Sequence, residues 1–247
     1  MGSKEITAAS GLLRQAHETY GGRLALSTSF QAEGMVILDM ASRIAPSIHV
    51  FTIDTGRLPQ ETLDMIRTVE SRYGIAVAIA RPDPAEVANM VSRHGPDLFR
   101  DGVAQRMLCC EVRKVRTIEA YLKRIGAAAV IAGLRRSQSE SRSAVPAVDE
   151  SGPVVKISPL AEWSKAQVDA YISDHDVPAH PLYARGYASI GCAPCTRAVE
   201  PGESERAGRW WWEENAAKEC GIHFTPDGKA ARAVDVMLGA VLAASRI

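Results

Sequence analysis

The sequence lacks an excess of either charge and lacks a long apolar run. Its 29 Lys and Arg residues balance 29 Asp and Glu residues, so the formal net charge is zero. Bulk binding to nucleic acid or to an anionic membrane surface needs a basic excess, so neither is expected as a function. No segment approaches the roughly 18 uncharged apolar residues that would span a bilayer.

Cysteine is absent from the first hundred residues, and five occur in the whole chain. Residues 1–22 predict an amphipathic surface helix and lack the apolar stretch of a signal peptide. Clustered cysteines in a chain without an export signal indicate metal binding or catalysis more than structural disulfides. We therefore expect a cytoplasmic protein.

Apolar runs alternate with helical patterns over the first three quarters of the chain. Strands are predicted at 23–29, 47–54, 75–80, 127–134 and 154–160, and helices at 32–44, 59–74, 84–95, 111–126 and 164–175. This alternation is typical of an α/β domain with a parallel sheet flanked by helices. Ligands of such folds bind at the carboxyl ends of the strands.

Gly and Pro become frequent and periodicity weakens after about residue 176. No domain boundary is evident, so residues 1–247 are predicted to form a single domain. Within it, residues 200–247 are expected to form a mobile C-terminal segment that ends in an amphipathic helix over 227–247. That helix is expected to pack on the domain or at a subunit interface, so a homo-oligomer is one expectation.

Four cysteines have the spacing of ligands. Cys109 and Cys110 are adjacent at a predicted helix start, and Cys192 and Cys195 form a CxxC pair that Pro194 stiffens. Zinc prefers paired CxxC knuckles, whereas a cubane cluster has four irons at separate corners, so neighbouring sulfurs can reach different irons. We therefore predict a [4Fe-4S] cluster. A structural zinc and unligated core thiols stay open as alternatives.

The fifth cysteine, Cys220, lies between Lys218 and His223. Nearby cations favour the thiolate, which is the reactive form of cysteine. These neighbours alone support a nucleophile and a passive cysteine at a loop end equally.

The motifs resemble the sulfonucleotide reductase family, and within it the cluster-containing bacterial branch that acts on adenylyl sulfate. The similarity runs from STSFQAEG, which begins at Ser27, to KECGIHF, which ends at Phe224, and KECGIH is its most specific part. The resemblance implies a fold like that of the adenine nucleotide α-hydrolases. The combination of CC and CxxC implies the unphosphorylated substrate rather than its 3′-phosphorylated relative.

The resemblance also implies a reaction, namely thioredoxin-dependent reduction of adenosine 5′-phosphosulfate to sulfite and AMP in sulfate assimilation. In that reaction Cys220 attacks the sulfur, AMP leaves, and an S-sulfo group stays on the enzyme. Thioredoxin or a similar separate dithiol protein then releases sulfite. Lys114 and His223 are implied as further catalytic residues, and the cluster is implied to tune the site rather than to carry electrons.

A thiolate that approaches an anionic sulfate is repelled, so the site needs cations. Arginine forks match sulfate and phosphate oxygens. The resemblance assigns this work to Arg206 and Arg209, and to Arg135 and Arg136 without deciding which of that pair points inward. The tryptophans at 210–212 are expected to pack the loop.

Two strand-end loops supply the remaining candidates for substrate binding. Ser27 and Ser29 are expected contacts, because STSFQAEG stands where related ATP pyrophosphatases carry a glycine-rich SGGxDS. Asp54 either lines the nucleotide pocket or caps the segment that follows it.

Three other functions stay open at this point. The first is the same chemistry on 3′-phosphoadenosine 5′-phosphosulfate. The second is an ATP-pyrophosphatase-type sulfur-transfer enzyme of the same fold, which the absence of SGGxDS disfavours. The third is a cluster-bearing sensor without catalysis, for which Cys220 would be dispensable.

Overall fold

A computed structural model describes residues 3–213, 222–224 and 230–232 of the chain. The helices are α1 (Ser3–Tyr20), α2 (Ala32–Ile44), α3 (Gln60–Tyr73), α4 (Pro84–His94), α5 (Val103–Cys110), α6 (Arg116–Arg124) and α7 (Lys165–Asp174). The strands are β1 (Leu24–Ser27), β2 (His49–Ile53), β3 (Val77–Ala80), β4 (Ala129–Ile131), β5 (Val148–Asp149), β6 (Val155–Ile157), β7 (Ile222–Phe224) and β8 (Ala230–Arg232).

The main sheet has the strand order β3-β2-β1-β4-β6-β5. Its pairs are parallel except for β5, which runs antiparallel to β6. The predicted α/β class with a parallel sheet is confirmed. The chain moves outward from β1 to β3 and then returns to the other side of β1 as β4. This reversal opens a crevice at the carboxyl ends of β1 and β4, the usual ligand position in such sheets.

Alternating side chains along the strands fill a core on each face of the sheet. Leu24 and Leu26 of β1 join the larger core, together with buried residues of α1, α2 and α7. Ala25, between them, faces the opposite side, where it packs in a cluster with Phe51 of β2 and Tyr121 of α6. Burial on both faces explains why these strands appear in the sequence as short continuous apolar runs.

The prediction that Cys109 and Cys110 begin a helix was wrong. They end α5, and a π-helical turn at Glu111–Val115 joins α5 to α6. The wider turn shifts the 3.6-residue spacing of apolar residues. Helical spacing is therefore recognised in the sequence only from the turn onward, and the short helix before it is missed. Turns of this kind are frequent at functional sites.

The predicted terminal helix over 227–247 was wrong at residues 230–232. These residues form β8, which pairs antiparallel with β7. Pairing with another strand is a tertiary contact, and such contacts override local helical propensity. The rest of the predicted helix lies outside the described residues, as does most of the segment 200–247 that was expected to be mobile.

No helix in the part of the chain that the structure describes is both long enough and apolar enough to cross a membrane.

Substituting Gly133 by alanine is expected to destabilise the fold by about 1–3 kcal/mol, because the new methyl group overpacks the crevice. A Cβ there would lie 2.9 Å from Glu33 Cβ and 2.9 Å from the Gly34 nitrogen. Urea unfolding measures the loss. Gly11→Ala in α1 is the control, because its Cβ would have no heavy atom within 4 Å. We expect Gly11→Ala to be neutral or stabilising by up to about 1 kcal/mol; equal losses in the two variants would contradict the packing argument.

Candidate active site

The loop after β1 is shaped by Thr28. Its Oγ1 accepts a hydrogen bond of 3.0 Å from the backbone nitrogen of Phe30, which has a φ of 58° in the left-handed region. Phe30 is fully buried and fixes this conformation. Ser27 is half-buried at the end of β1, and Ser29 is exposed and accepts a 3.0 Å hydrogen bond from Gln31 Nε2. Both predicted serines therefore lie at the carboxyl end of β1, while their contact with substrate stays a prediction.

The loop after β2 begins with Asp54, whose carboxylate closes a turn. Its Oδ1 accepts a 2.9 Å hydrogen bond from the Gly56 nitrogen, and its Oδ2 pairs with Arg81 Nε at 3.2 Å. The contact with the following segment is therefore present, and the role of Asp54 in the nucleotide pocket stays a prediction.

The CxxC turn is hydrogen-bonded to this same loop. The Ala193 nitrogen donates a 2.8 Å hydrogen bond to the Arg57 carbonyl, and Thr55 Oγ1 lies 3.2 Å from Cys192 Sγ. Within the turn, the Cys195 nitrogen donates to the Cys192 carbonyl at 2.9 Å. The loop after β2 therefore holds the second cysteine pair at the carboxyl edge of the sheet.

Helix α5 brings the first cysteine pair to the same place. Cys109, Cys110, Cys192 and Cys195 all line one small cavity, together with Thr55, Arg57, Phe99, Arg106, Arg113, Lys114 and Pro194. Cys109 and Cys195 are buried, the other two are half-buried, and all four carry thiols rather than disulfides. The structure thus brings together four cysteines that are separated by up to 86 positions in the chain.

The charges around this cavity suit thiolate ligands. Burial raises the pKa of the Cys109 thiol, and the guanidinium of Arg113 acts in the opposite direction. Arg113 also donates a 2.9 Å hydrogen bond from Nη1 to the Thr55 carbonyl, so it is held beside the sulfurs. Lys114 is half-buried in the same cavity wall. Soft sulfur donors surrounded by cations fit the requirements of an iron–sulfur cluster, whose iron atoms are held by cysteine thiolates.

No group of three or more His, Cys, Asp or Glu side chains among the described residues is arranged to hold a metal ion. The predicted cluster and its four ligands therefore stay a prediction that rests on the shared cavity.

Arg135 and Arg136 point in opposite directions. Arg135 is fully buried, and it donates from Nε to Glu33 Oε1 at 2.7 Å and from Nη2 to Glu205 Oε1 at 2.9 Å. Arg136 is partly exposed, where it pairs with Glu162 and donates to the Val145 carbonyl. Arg135 is therefore the member of the pair that points inward. In this structure its guanidinium donates hydrogen bonds to two carboxylates.

Arg206 and Arg209 lie in different surroundings. Arg206 is half-buried and borders a cavity of about 450 Å³, which the start of α2 also lines. That volume lies within the range of small-molecule sites. Arg209 is buried, with its guanidinium carbon 4.5 Å from the centre of the Trp210 ring. A Cβ on Gly191 would come within 2.2 Å of Arg209 Nη2, so glycine is needed at 191 to admit this arginine.

Cys220 lies outside the described residues. His223 belongs to β7, whose backbone passes close to the short turn Glu140–Arg142 in the serine-rich loop after β4. The predicted packing role of Trp210 is consistent with its 1% exposure, whereas Trp211 is partly exposed.

Sequence reasoning gave no role to several residues that build this site. They include the buried Glu33, Arg106 and Glu213 and the half-buried Glu205, which organise its edge. The charged pattern of ERAGRWWWE, at 205–213, offered a signal, because an acid that a tryptophan-rich stretch carries into the interior is almost never buried without a partner.

Residues 23–198 match the family model described as "Phosphoadenosine phosphosulfate reductase domain". The chain belongs to this family. The resemblance drawn from STSFQAEG and KECGIHF is thereby confirmed at the level of the family.

Individual members of the reductase family are similar over most of the chain. A protein of Allochromatium vinosum named adenosine 5′-phosphosulfate reductase is 47% identical over 81% of this chain and 78% of its own length. One of the same name from Agrobacterium fabrum is 43% identical over 82% of this chain and 78% of its own length. The crystal structure of phosphoadenylyl-sulfate reductase from Candida auris, a phosphate complex, aligns with a TM-score of 0.64 at 32% identity. It covers 78% of this chain and 90% of that one.

Replacing Arg135 by methionine is expected to destabilise the protein by about 3–5 kcal/mol, because it leaves the Glu33 and Glu205 carboxylates without their buried counter-charge. Arg136→Met is the neighbouring control, and its exposed ion pair predicts a loss below about 1 kcal/mol. Urea unfolding of both variants measures the difference. Similar losses would show that Arg135 is not the internal anchor that its contacts indicate.

Proposed function

We propose that this chain reduces adenosine 5′-phosphosulfate to sulfite and AMP in sulfate assimilation. The relatives that are more than 40% identical carry the name of that activity. The observation that carries the proposal is that a strand-end loop and the four-thiol cavity meet at one edge of the sheet. The loop after β2 belongs to the strand ends where nucleotides bind in such folds, and through Thr55 and Arg57 it also forms part of the four-thiol cavity.

The proposed chemistry begins at Cys220. Its thiolate attacks the sulfur of the sulfate group, the bond from that sulfur to the bridging oxygen breaks, and AMP leaves with the electron pair. A thiolate of the reductant then attacks Cys220 Sγ and expels sulfite. The second thiol of the reductant resolves the mixed disulfide, so the two electrons come from the dithiol and Cys220 returns as a thiol.

Cations are needed in the first step because a thiolate meets an anionic group while further charge develops on the departing phosphate. Lys114 lies in the cavity wall and Arg206 borders the larger cavity at the start of α2. We assign to these two side chains the neutralisation of the phosphosulfate. Ser27 and Ser29, at the carboxyl end of β1, are proposed to donate hydrogen bonds to the same group.

We propose that Cys109, Cys110, Cys192 and Cys195 hold a [4Fe-4S] cluster. Side chains at consecutive helical positions diverge by about 100°, so the two cysteines of α5 suit separate irons better than one ion. The bound cluster would supply a fixed charge beside Arg113 and Lys114 and thereby tune the field at the substrate. Those two cations, Arg57 and the hydroxyl of Thr55 are among the groups of this chain that would face it.

The reductant is proposed to be thioredoxin or a similar dithiol protein, and the location the cytoplasm, where such thiols stay reduced. A second substrate has some support, because the family model and the Candida auris protein are named for the 3′-phosphorylated nucleotide. The names of the bacterial relatives and the four-cysteine set favour the unphosphorylated one.

The central test measures the mass of the purified protein after incubation with adenosine 5′-phosphosulfate and no reductant. We expect one SO3 adduct on Cys220, which reduced thioredoxin releases as sulfite. Cys220→Ser is the control that should bind AMP and form no adduct. The absence of an adduct on the cluster-loaded protein would refute the proposed reaction. Faster adduct formation from the 3′-phosphorylated nucleotide would reassign the substrate.

The cluster proposal predicts about four irons and four sulfides per chain after anaerobic purification. Cys110→Ser and Cys192→Ser are each expected to lose most of this iron, whereas Cys220→Ser keeps it. Colorimetric iron and sulfide assays and metal analysis by mass spectrometry give the measurement. About one zinc per chain in place of iron would support the structural-zinc alternative.

A further inference from the structure

A fully buried arginine joins the thiol-bearing helix to the end of the continuous described chain. Arg106 lies one turn before Cys109 and Cys110 on α5 and is 0% exposed. Its Nε donates a 2.6 Å hydrogen bond to Glu213 Oε1, and the Glu213 side chain is only 3% exposed. A buried ion pair of this kind is costly to form and strongly destabilising to break on one side. It therefore calls for an explanation beyond general stability.

The aromatic residue that packs against Arg106 is fixed as well. Trp210 is 1% exposed, and its ring centre lies 4.4 Å from the Arg106 guanidinium carbon, close enough for a cation–π contact. Its backbone has a φ of 43°, in the left-handed region that non-glycine residues rarely adopt. The Trp210 backbone nitrogen donates to the Cys195 carbonyl at 3.2 Å, and the Glu213 backbone nitrogen donates to the Trp210 carbonyl at 2.9 Å.

The turn at 210–213 thus contacts both elements that carry the cysteine pairs. It meets the CxxC turn at the Cys195 carbonyl, and it meets α5 at Arg106. A second buried arginine holds the beginning of the same segment, because Arg135 pairs with Glu205. Residues 205–213 are therefore anchored at each end by an acid that meets a buried arginine from the body of the domain.

The position of this anchor in the sequence gives it a consequence for Cys220. Cys220 follows Glu213 by seven residues, and a fully extended chain of that length spans about 25 Å at most. The fixed 210–213 turn therefore limits how far Cys220 can lie from it, and β7, which begins two residues after Cys220, limits its position from the other side. Holding a nucleophile near its target raises its effective concentration, and small displacements of it are costly.

We infer that Arg106 and Glu213 form a positioning pair, which sets the starting point of the segment that carries Cys220 relative to the thiol cavity. This inference rests on the proposed function, since it assigns the pair a role in the attack by Cys220. Trp210 contributes by packing against Arg106, and neither charged side chain is assigned a contact with substrate.

The test compares the rate of adduct formation on Cys220 with the affinity for AMP. Glu213→Gln keeps the shape of the side chain but removes its charge. We expect the single-turnover rate at saturating adenosine 5′-phosphosulfate to fall at least about tenfold, because the nucleophile is no longer held in place. The Kd for AMP should change by less than about twofold, because Glu213 meets Arg106, whereas Arg206 lies at the other end of the segment, where Arg135 holds Glu205. A general structural defect would change both quantities.

Asp39→Asn is the matched control, because it also removes a buried carboxylate that pairs with an arginine. Asp39 is 4% exposed on α2 and accepts hydrogen bonds from Arg43 and from Tyr171 of α7, where α2 packs against α7. We expect this variant to lower the melting temperature and, assayed well below it, to keep the adduct rate within about twofold of the wild type. An equal slowing in Asp39→Asn would overturn the inference.

The double variant Arg106→Met/Glu213→Gln tests whether the two residues act as a pair. We expect it to be no more than about twofold slower than Glu213→Gln alone, because residues that act through one interaction are not additive. Fully multiplicative losses, or an adduct rate in Glu213→Gln equal to the wild type, would overturn the inference. If the wild type itself forms no adduct, the proposed function fails instead, and the two failures are therefore distinguishable.

Discussion

The contact between the loop after β2 and the CxxC turn is the constraint on which the rest of the site depends. One backbone hydrogen bond, from Ala193 to Arg57, and one hydroxyl–sulfur contact, from Thr55 to Cys192, bring a distant irregular segment to the carboxyl edge of the sheet. Because α5 ends at the same edge, the second cysteine pair meets the first there. This contact therefore makes the four-thiol cavity continuous with the carboxyl ends of the strands, the usual ligand position in such sheets.

Charge is distributed unevenly within a chain whose net charge is zero. Two arginines, Arg106 and Arg135, are fully buried and paired with carboxylates, so their work is to hold segments of chain together. In the thiol cavity, which Arg106 also lines, the guanidinium of Arg113 instead acts on sulfur, because its charge lowers the pKa of the Cys109 thiol. Arginines that are buried together with an acid therefore hold segments of the chain in place. Arginine beside the thiols instead changes the electrostatic potential at sulfur.

Much of the fold could be predicted because its determinants are local. The parallel sheet follows from short apolar runs that alternate with helical spacing, and the turn residues Gly74 and Ser164 mark helix ends where the structure has them. Two errors have identifiable causes. The π turn after Cys110 shifts the helical period and conceals α5, and the pairing of β8 with β7 outweighs the helical pattern of the tail at residues 230–232.

By itself the sequence determined the fold class and the resemblance that led to Cys220, and it predicted four cysteines as a donor set. Adjacent or closely spaced residues carry each of these signals. Only the tertiary structure decided that Arg135 rather than Arg136 points inward, and that Glu205 and Glu213 meet buried arginines. The partners in those pairs lie 70 and 107 positions apart. An ion pair of that kind depends on which side chains folding brings together and removes from water, and no local pattern in the chain encodes it.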